Sequence, residues 1–370
     1  MSGGLKKLVY IVSDIDKAFA FEWISRTLKN WFQLVFIVIG KKDSALLQFL
    51  NNNQIRSYHI SNKTSLILQW LSVLKILWLE RAVIVHTHMW TANLLGLTTA
   101  WLLNIEKRIF TRHHAMTHHV EYPSGLKWDK VCNWLATDII AVSENIEKIL
   151  IKYDRAPETK IQILHHGFDL DYFLNVDDIR VNKLRIKYGI NNLKFPVIGI
   201  IARYVKWKGI QFTIDAFKEV KMHFPHAHLV LANADGDNKN EIQSILSELP
   251  EETYTEIVFE QDLSALYKLF DIYVHVPTDN LAEAFGQTYV EALAAGIPSI
   301  FTLSGIANEF IIHEENALVV SYKNSQEIAD AIRRILQQED VRLRLINNGR
   351  SSVNKFNLND MLNRLVTLYD

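Results

Sequence analysis

A single cysteine, Cys132, in 370 residues leaves no partner for an internal disulfide framework. Its expected role is that of a small buried apolar side chain in a reducing cytoplasm. Glycine (14) and proline (7) are sparse, which excludes long flexible or proline-rich linkers. No uncharged apolar run reaches the ~20 residues that a membrane-spanning helix needs. The longest stretches, 65–79 and 93–105, contain Lys75 and the pair Thr98-Thr99, and both read as core helices. The amino terminus, Met-Ser-Gly-Gly-Leu-Lys-Lys-Leu-Val-Tyr, lacks the layout of a signal peptide. Net charge is also small, 40 Lys+Arg against 41 Asp+Glu, and no basic helix of the kind that reads nucleic acid is visible. The balance is nevertheless uneven. Residues 1–175 hold 20 Lys+Arg against 15 Asp+Glu, and the rest hold 20 against 26. A mildly basic amino half suits an anionic membrane surface or a phosphate-bearing acceptor, or is ordinary surface variation.

What is present is an apolar half, 49% of residues, with 22% charged, the profile of a globular chain of about two domains. Short apolar runs fall at 8–12, 34–39, 82–85, 108–111, 139–142 and 161–164. Segments of helical period lie between them, among them 19–30 and 145–153. The runs are continuous rather than alternating, which marks strands buried on both faces. Their alternation with helices implies parallel, doubly wound sheets. A polar stretch from 169 to 194 interrupts the pattern, which restarts with runs at 196–201, 229–231, 257–259, 272–276, 298–301 and 317–320. Residues 325–337 and 357–370 read as terminal helices. The division expected is into two domains, 1–175 and 176–355. A terminal helix over 356–370 is left free to cross back to the first.

In doubly wound sheets ligands sit beyond the carboxyl ends of the strands. The run at 196–201 is followed by Ala202-Arg-Tyr-Val-Lys-Trp-Lys-Gly209, which places Arg203 and Lys208 around a strand-to-helix turn. Two cations beside a helix start suit a diphosphate; alone, such a pair is equally a solvated loop. The run at 272–276 leads to Glu283-Ala-Phe-Gly-Gln-Thr-Tyr-Val-Glu291 and then Ala292-Leu-Ala-Ala-Gly-Ile-Pro298. A helix is expected over 285–295, with Glu283 in the loop before it. Gly286 permits close backbone approach, and the helix-start amides near Gly286 and Gln287 suit a phosphate. Glu283 is placed to accept from sugar hydroxyls and Glu291 from a ribose diol. Taken singly, Glu283 is also a helix-start carboxylate, and Glu291 a solvated helix residue.

The Glu-x7-Glu block resembles that of the retaining GT-B glycosyltransferases of family 4. Other pieces occur in that family's order: Thr111-Arg-His113, Ile140-Ala-Val-Ser143, Leu164-His-His-Gly-Phe-Asp-Leu-Asp-Tyr-Phe173, Ser304-Gly305 with Glu309, and 316–320. The resemblance implies an α/β chain of GT-B architecture, two Rossmann-like domains facing a central cleft, with 1–175 the acceptor-side domain and 176–355 the nucleotide-sugar-binding domain. It implies a nucleotide-sugar donor held by Arg203, Lys208, Glu283, Ala284, Phe285, Gly286, Gln287 and Glu291, with His113, Arg203, Lys208 and Glu283 catalytic. It implies retention of configuration and no metal or other cofactor. The chain departs from the family pattern in three places. Ser13-Asp-Ile-Asp-Lys-Ala-Phe-Ala-Phe-Glu22 stands where a Gly-Gly turn is frequent, His166 where Asn is usual, and Asn233-Ala-Asp-Gly236 where a glycine-rich end is usual.

Six histidines, His86, His88, His113, His114, His118 and His119, gather in the amino half. No His-Glu-x-x-His motif or cysteine pair supports a metal reading, so none is expected. His88, His114, Ser13 and Asp14 are read as acceptor or cleft residues instead. Whether His113 or His114 faces the cleft stays open. Hydrolase and dinucleotide motifs such as Gly-x-Ser-x-Gly and Gly-x-Gly-x-x-Gly are absent. The resulting expectation is a hexosyltransferase using UDP-sugar, with GDP-sugar as the alternative. Its acceptor is a glycan or lipid-linked glycan, and its location the cytoplasm or the inner membrane face. Two rivals share the architecture: a nucleotide-sugar 2-epimerase and a non-catalytic binding subunit.

Overall fold

A computed structural model describes residues 5–15, 19–190 and 195–370. Two compact units divide the chain, residues 1–168 with 358–370, and residues 169–357. The boundary therefore falls before the expected 175/176. The short helix Leu170–Leu174 buries Phe173, whose ring lies edge-on to Tyr267 within the second unit.

The first unit is built on seven parallel strands: β1 (Lys7–Ser13), β2 (Gln33–Gly40), β3 (Arg56–Ser61), β4 (Ile84–His88), β5 (Lys107–Arg112), β6 (Asp138–Ala141) and β7 (Ile161–Ile163). Their order is β3-β2-β1-β4-β5-β6-β7. β3 has no counterpart among the apolar runs. It pairs only with β2, and Arg-Ser-Tyr-His-Ile-Ser is the polar composition of an edge strand. One sheet face packs Tyr10, Phe36 and Val38 against helices Phe19–Leu28, Ala45–Asn52 and Leu358–Tyr369. The other packs Val9, Ile11 and Ile37 against helices Leu66–Glu80 and Trp90–Leu102. Helix Leu66–Glu80 buries only an inner stripe. Ile67, Leu71 and Trp78 stay exposed there, so that helix is a surface helix and not the core helix expected, whereas Trp90–Leu102 is buried along most of its length, as expected, and exposes only its last two residues, Trp101 and Leu102.

The second unit has six parallel strands: β8 (Val197–Ile201), β9 (His228–Ala232), β10 (Tyr254–Ile257), β11 (Ile272–His275), β12 (Ser299–Phe301) and β13 (Leu318–Val319). Their order, β10-β9-β8-β11-β12-β13, repeats that of the first six strands. The run expected at 257–259 is displaced: Val258 and Phe259 are 59% and 61% exposed. Helix Ser325–Gln337 lies where its period placed it. Helix Glu339–Ser352, whose charges hide the buried trio Val341, Leu345 and Gly349, was not anticipated. In each sheet the chain winds outward one way and then the other from the first strand. The gaps beyond the carboxyl ends of β1/β4 and of β8/β11 are the reversal points where such sheets hold ligands.

Candidate functional site

In the second unit both segments singled out from sequence emerge at one reversal point, since β8 pairs with β11. The turn after β8 closes on Gly209, at φ +71°. A Cβ there would stand 2.0 Å from the Val276 carbonyl oxygen, so only glycine lets this turn lie against the loop leaving β11. The Thr278 amide donates to the Trp207 carbonyl at 2.9 Å and fastens the two loops together.

Lys208 and Glu283, 75 residues apart, form an ion pair at 2.5 Å. His275, the last residue of β11, donates from Nε2 to the same carboxylate oxygen at 3.0 Å, because the carboxylate has no proton to give. The Glu283 amide donates to Ser304 Oγ. Burial alone would raise the Glu283 pKa. The Lys208 charge and the His275 hydrogen bond outweigh it and hold the group at about 2. Glu283 is thus a fixed anion rather than a proton donor. Arg203, by contrast, is exposed.

Beyond Glu283 come Ala284, Phe285, which is buried, and Gly286, which caps the helix Gln287–Ala294 at φ +84°. The helix begins two residues after the expected start. Its first amides, at Gln287 and Thr288, have no preceding turn of carbonyls to bond. Glu291 is not a solvated helix residue. It is 7% exposed and accepts from Tyr267 Oη at 2.8 Å. Burial lifts its pKa to about 7 despite that bond.

In the first unit, Ser13, His88 and His113 stand at the carboxyl ends of the neighbouring strands β1, β4 and β5. Ser13 is fully buried and accepts from the Ala92 amide at 3.2 Å, so its hydroxyl fastens a helix start and is not open to an acceptor. Asp14 is exposed, in a left-handed turn at φ 55°. Residues 16–18 of the same loop lie outside the described residues. His88 Nδ1 and His113 Nε2 share a hydrogen bond of 2.9 Å, and the His113 ring stacks on His166 at 5.4 Å. Burial keeps His88 and His113 far below the usual imidazole range, hence neutral.

His114 turns instead into a buried ionic cluster. Asp129 Oδ2 receives Arg112 Nη1 at 2.9 Å, His118 at 2.7 Å and His114 at 3.3 Å; Asp154 receives Arg112 and His119. His114, His118 and Asp129 bring three ligand-type atoms within 4.8 Å of one another. The guanidinium on the same Asp129 oxygen already supplies the positive charge that a cation would. Of the residues now in place, His275, Tyr267 and Arg112 were not foreseen. His275 sits inside an apolar run and Arg112 inside a family segment, and Tyr267 lies in the short helix Leu263–Tyr267, for which the sequence carried no signal.

Residues 182–352 match the family described as Glycosyl transferases group 1, and residues 38–172 the Glycosyltransferase Family 4. The chain belongs to these group 1, family 4 glycosyltransferases. It is 29% identical to the capsular polysaccharide biosynthesis glycosyltransferase CapM of Staphylococcus aureus, covering 81% of this chain and 80% of that one. It is 24% identical to a D-inositol 3-phosphate glycosyltransferase of Corynebacterium jeikeium, over 78% and 72%. Among solved structures it is similar to Anabaena HepE in complex with UDP and glucose, with TM-score 0.85, 18% identity and 98% of each chain covered. That likeness establishes the GT-B fold. The protein is accordingly a glycosyltransferase enzyme, and the expectation drawn from the Glu-x7-Glu block is met at that level.

Proposed function

We propose that the protein transfers a sugar, with retention, from a nucleoside-diphosphate sugar to a glycan or lipid-linked glycan in cell-envelope polysaccharide synthesis. UDP is the preferred nucleotide and GDP the alternative. The observation that carries this reading is the Lys208–Glu283–His275 cluster at the β8/β11 reversal point, next to an open helix start at Gly286. The complexes of HepE with UDP and glucose, and the polysaccharide role in the name of CapM, point the same way.

Departure of a nucleoside diphosphate builds negative charge on its β-phosphate. Arg203, Lys208 and the amides after Gly286 are proposed to receive that charge, with no metal ion required. The fixed Glu283 anion accepts from donor-sugar hydroxyls, and Glu291 from the ribose. His113, neutral, is read as the sugar contact of the first unit, with His114 serving structure instead. The acceptor hydroxyl attacks the anomeric carbon on the face from which the phosphate leaves. Its O–H proton passes to the departing phosphate oxygen as the old C–O bond breaks and the new one forms.

Arg203→Ala is the cleaner test. Arg203 is exposed, so its loss changes stability by no more than ~0.5 kcal/mol. Its removal is expected to lower turnover on the order of 100-fold, or ~3 kcal/mol of transition-state stabilisation. Lys208→Ala also leaves Glu283 buried without its cation, which costs several kcal/mol of folding (about 3–5), so it confounds the two effects. Near-normal turnover in Arg203→Ala, with donor saturation unchanged, refutes the diphosphate assignment. Epimerised donor in the absence of any acceptor would move the reading to a nucleotide-sugar 2-epimerase. Absence of binding to every nucleoside diphosphate would move it to a binding subunit.

A further inference from the structure

Helix Leu66–Glu80 is apolar on the side facing water as well as on the side facing the sheet. Gln69, Val73, Leu77 and Glu80 are buried, while Ile67 is 73%, Leu71 48%, Trp78 66% and Leu79 55% exposed. Positions 67, 71, 75 and 78 follow one stripe of the helix, and Lys75 is its only polar member. The face continues sideways. Helix Trp90–Leu102 exposes Trp101 and Leu102, and helix Leu126–Leu135 exposes Trp134. The Trp101 and Trp134 rings lie 5.8 Å apart. Trp70 Nε1 donates to Thr98 Oγ1 at 2.9 Å and locks the first two helices together, so the surface is preformed. An outer helix face is ordinarily polar, and a contiguous apolar one marks a contact surface.

Charge decides what covers it. Glu80 is the only acidic residue within 44–105, and it is buried in ion pairs with Lys7 and Arg56. Lys63, Lys75 and Arg81 are exposed around the first helix, and Lys127 and Lys130 on the third. Exposed tryptophan and leucine among lysines, without exposed acid on the first two helices, is the composition that settles at a lipid headgroup boundary. A symmetric contact with a second copy would instead set the same lysines against one another. No helix among the described residues is long and apolar enough to cross a membrane, so the contact would lie along the surface.

We propose that this three-helix face docks on an anionic phospholipid bilayer. The inference deepens the lipid-linked branch of the acceptor reading, yet docking itself requires neither donor nor turnover. The full chain is sedimented with phosphatidylcholine vesicles, with and without phosphatidylglycerol, at two salt concentrations. Binding is expected only to the anionic vesicles and should weaken with salt. Leu71→Glu/Trp78→Glu should lower vesicle partition at least ~tenfold. Met222→Glu, a control at another exposed apolar residue, should leave it unchanged. Calorimetric UDP binding, measured in parallel, should survive in both variants; its absence in all proteins would count against the donor reading alone. The proposal is overturned if no vesicle sediments the chain or if the control loses binding equally. It is also overturned if light scattering finds a dimer that Leu71→Glu/Trp78→Glu dissociates, for then a second copy covers the face.

Discussion

Glu283 and Glu291 belong to one nine-residue block, yet they sit in opposite protonation regimes, about 2 against about 7. Both are buried; what differs is compensation. Glu283 has Lys208 and His275, whereas Glu291 has the neutral Tyr267 hydroxyl. A carboxyl whose pKa is raised by folding binds more protons in the native state, so it weakens stability as pH rises from its unfolded value towards about 7. Wild-type minus Glu291→Gln unfolding free energy should therefore fall by ~2.5 kcal/mol between pH 5 and pH 8. Taking the difference removes any constant cost of the amide. Urea unfolding at the two pH values measures it, and a flat difference would show that Glu291 is ionised throughout. The carboxylates themselves were legible from their spacing. Lys208 was legible too, but His275 and Tyr267 were not, because a histidine inside an apolar run or a tyrosine in a short helix looks like ordinary core until a distant segment folds against it.

At the scale of elements, the turn between β8 and the helix Ile210–His223 is fixed by backbone approach as much as by side chains. Gly209 and Gly189 share a positive φ, +71° and +63°, but Gly189 has nothing within 4 Å of its would-be Cβ. Alanine at 189 should cost only the left-handed conformation, ~1 kcal/mol. Alanine at 209 adds the collision with the Val276 carbonyl and should cost clearly more, while also displacing Lys208 beside it. Equal unfolding midpoints for the two variants would contradict this account of the turn. The same distinction explains what was readable among the elements. Strands buried on both faces announce themselves as continuous apolar runs, as β1, β2 and β8 do. The edge strand β3 and the charged helix Glu339–Ser352 bury too few side chains to leave a pattern, and only pairing and packing define them.

At the scale of the molecule, the last thirteen residues belong to the unit that the chain left at Phe168. Leu362, Leu365 and Tyr369 are each no more than 2% exposed in the first unit's core. Tyr369 Oη meets Tyr10 Oη and His86 Nδ1, each at 2.5 Å, and His86 reaches Thr111 on β5 at 2.8 Å. The helix thus closes one sheet face and links β1, β4 and β5 just behind His88 and His113. Each buried leucine is worth ~2–5 kcal/mol against a truncated side chain, and a domain is stable by only ~5–15 kcal/mol. Removing residues 358–370 should therefore unfold the first unit. The second retains every strand of its own sheet and all of the Lys208–Glu283–His275 cluster. Calorimetry of the truncated chain should show one surviving transition, raised by UDP if the donor site is as proposed. Two intact transitions after truncation would mean that the first unit's core is complete without the helix, against the burial of its three anchors.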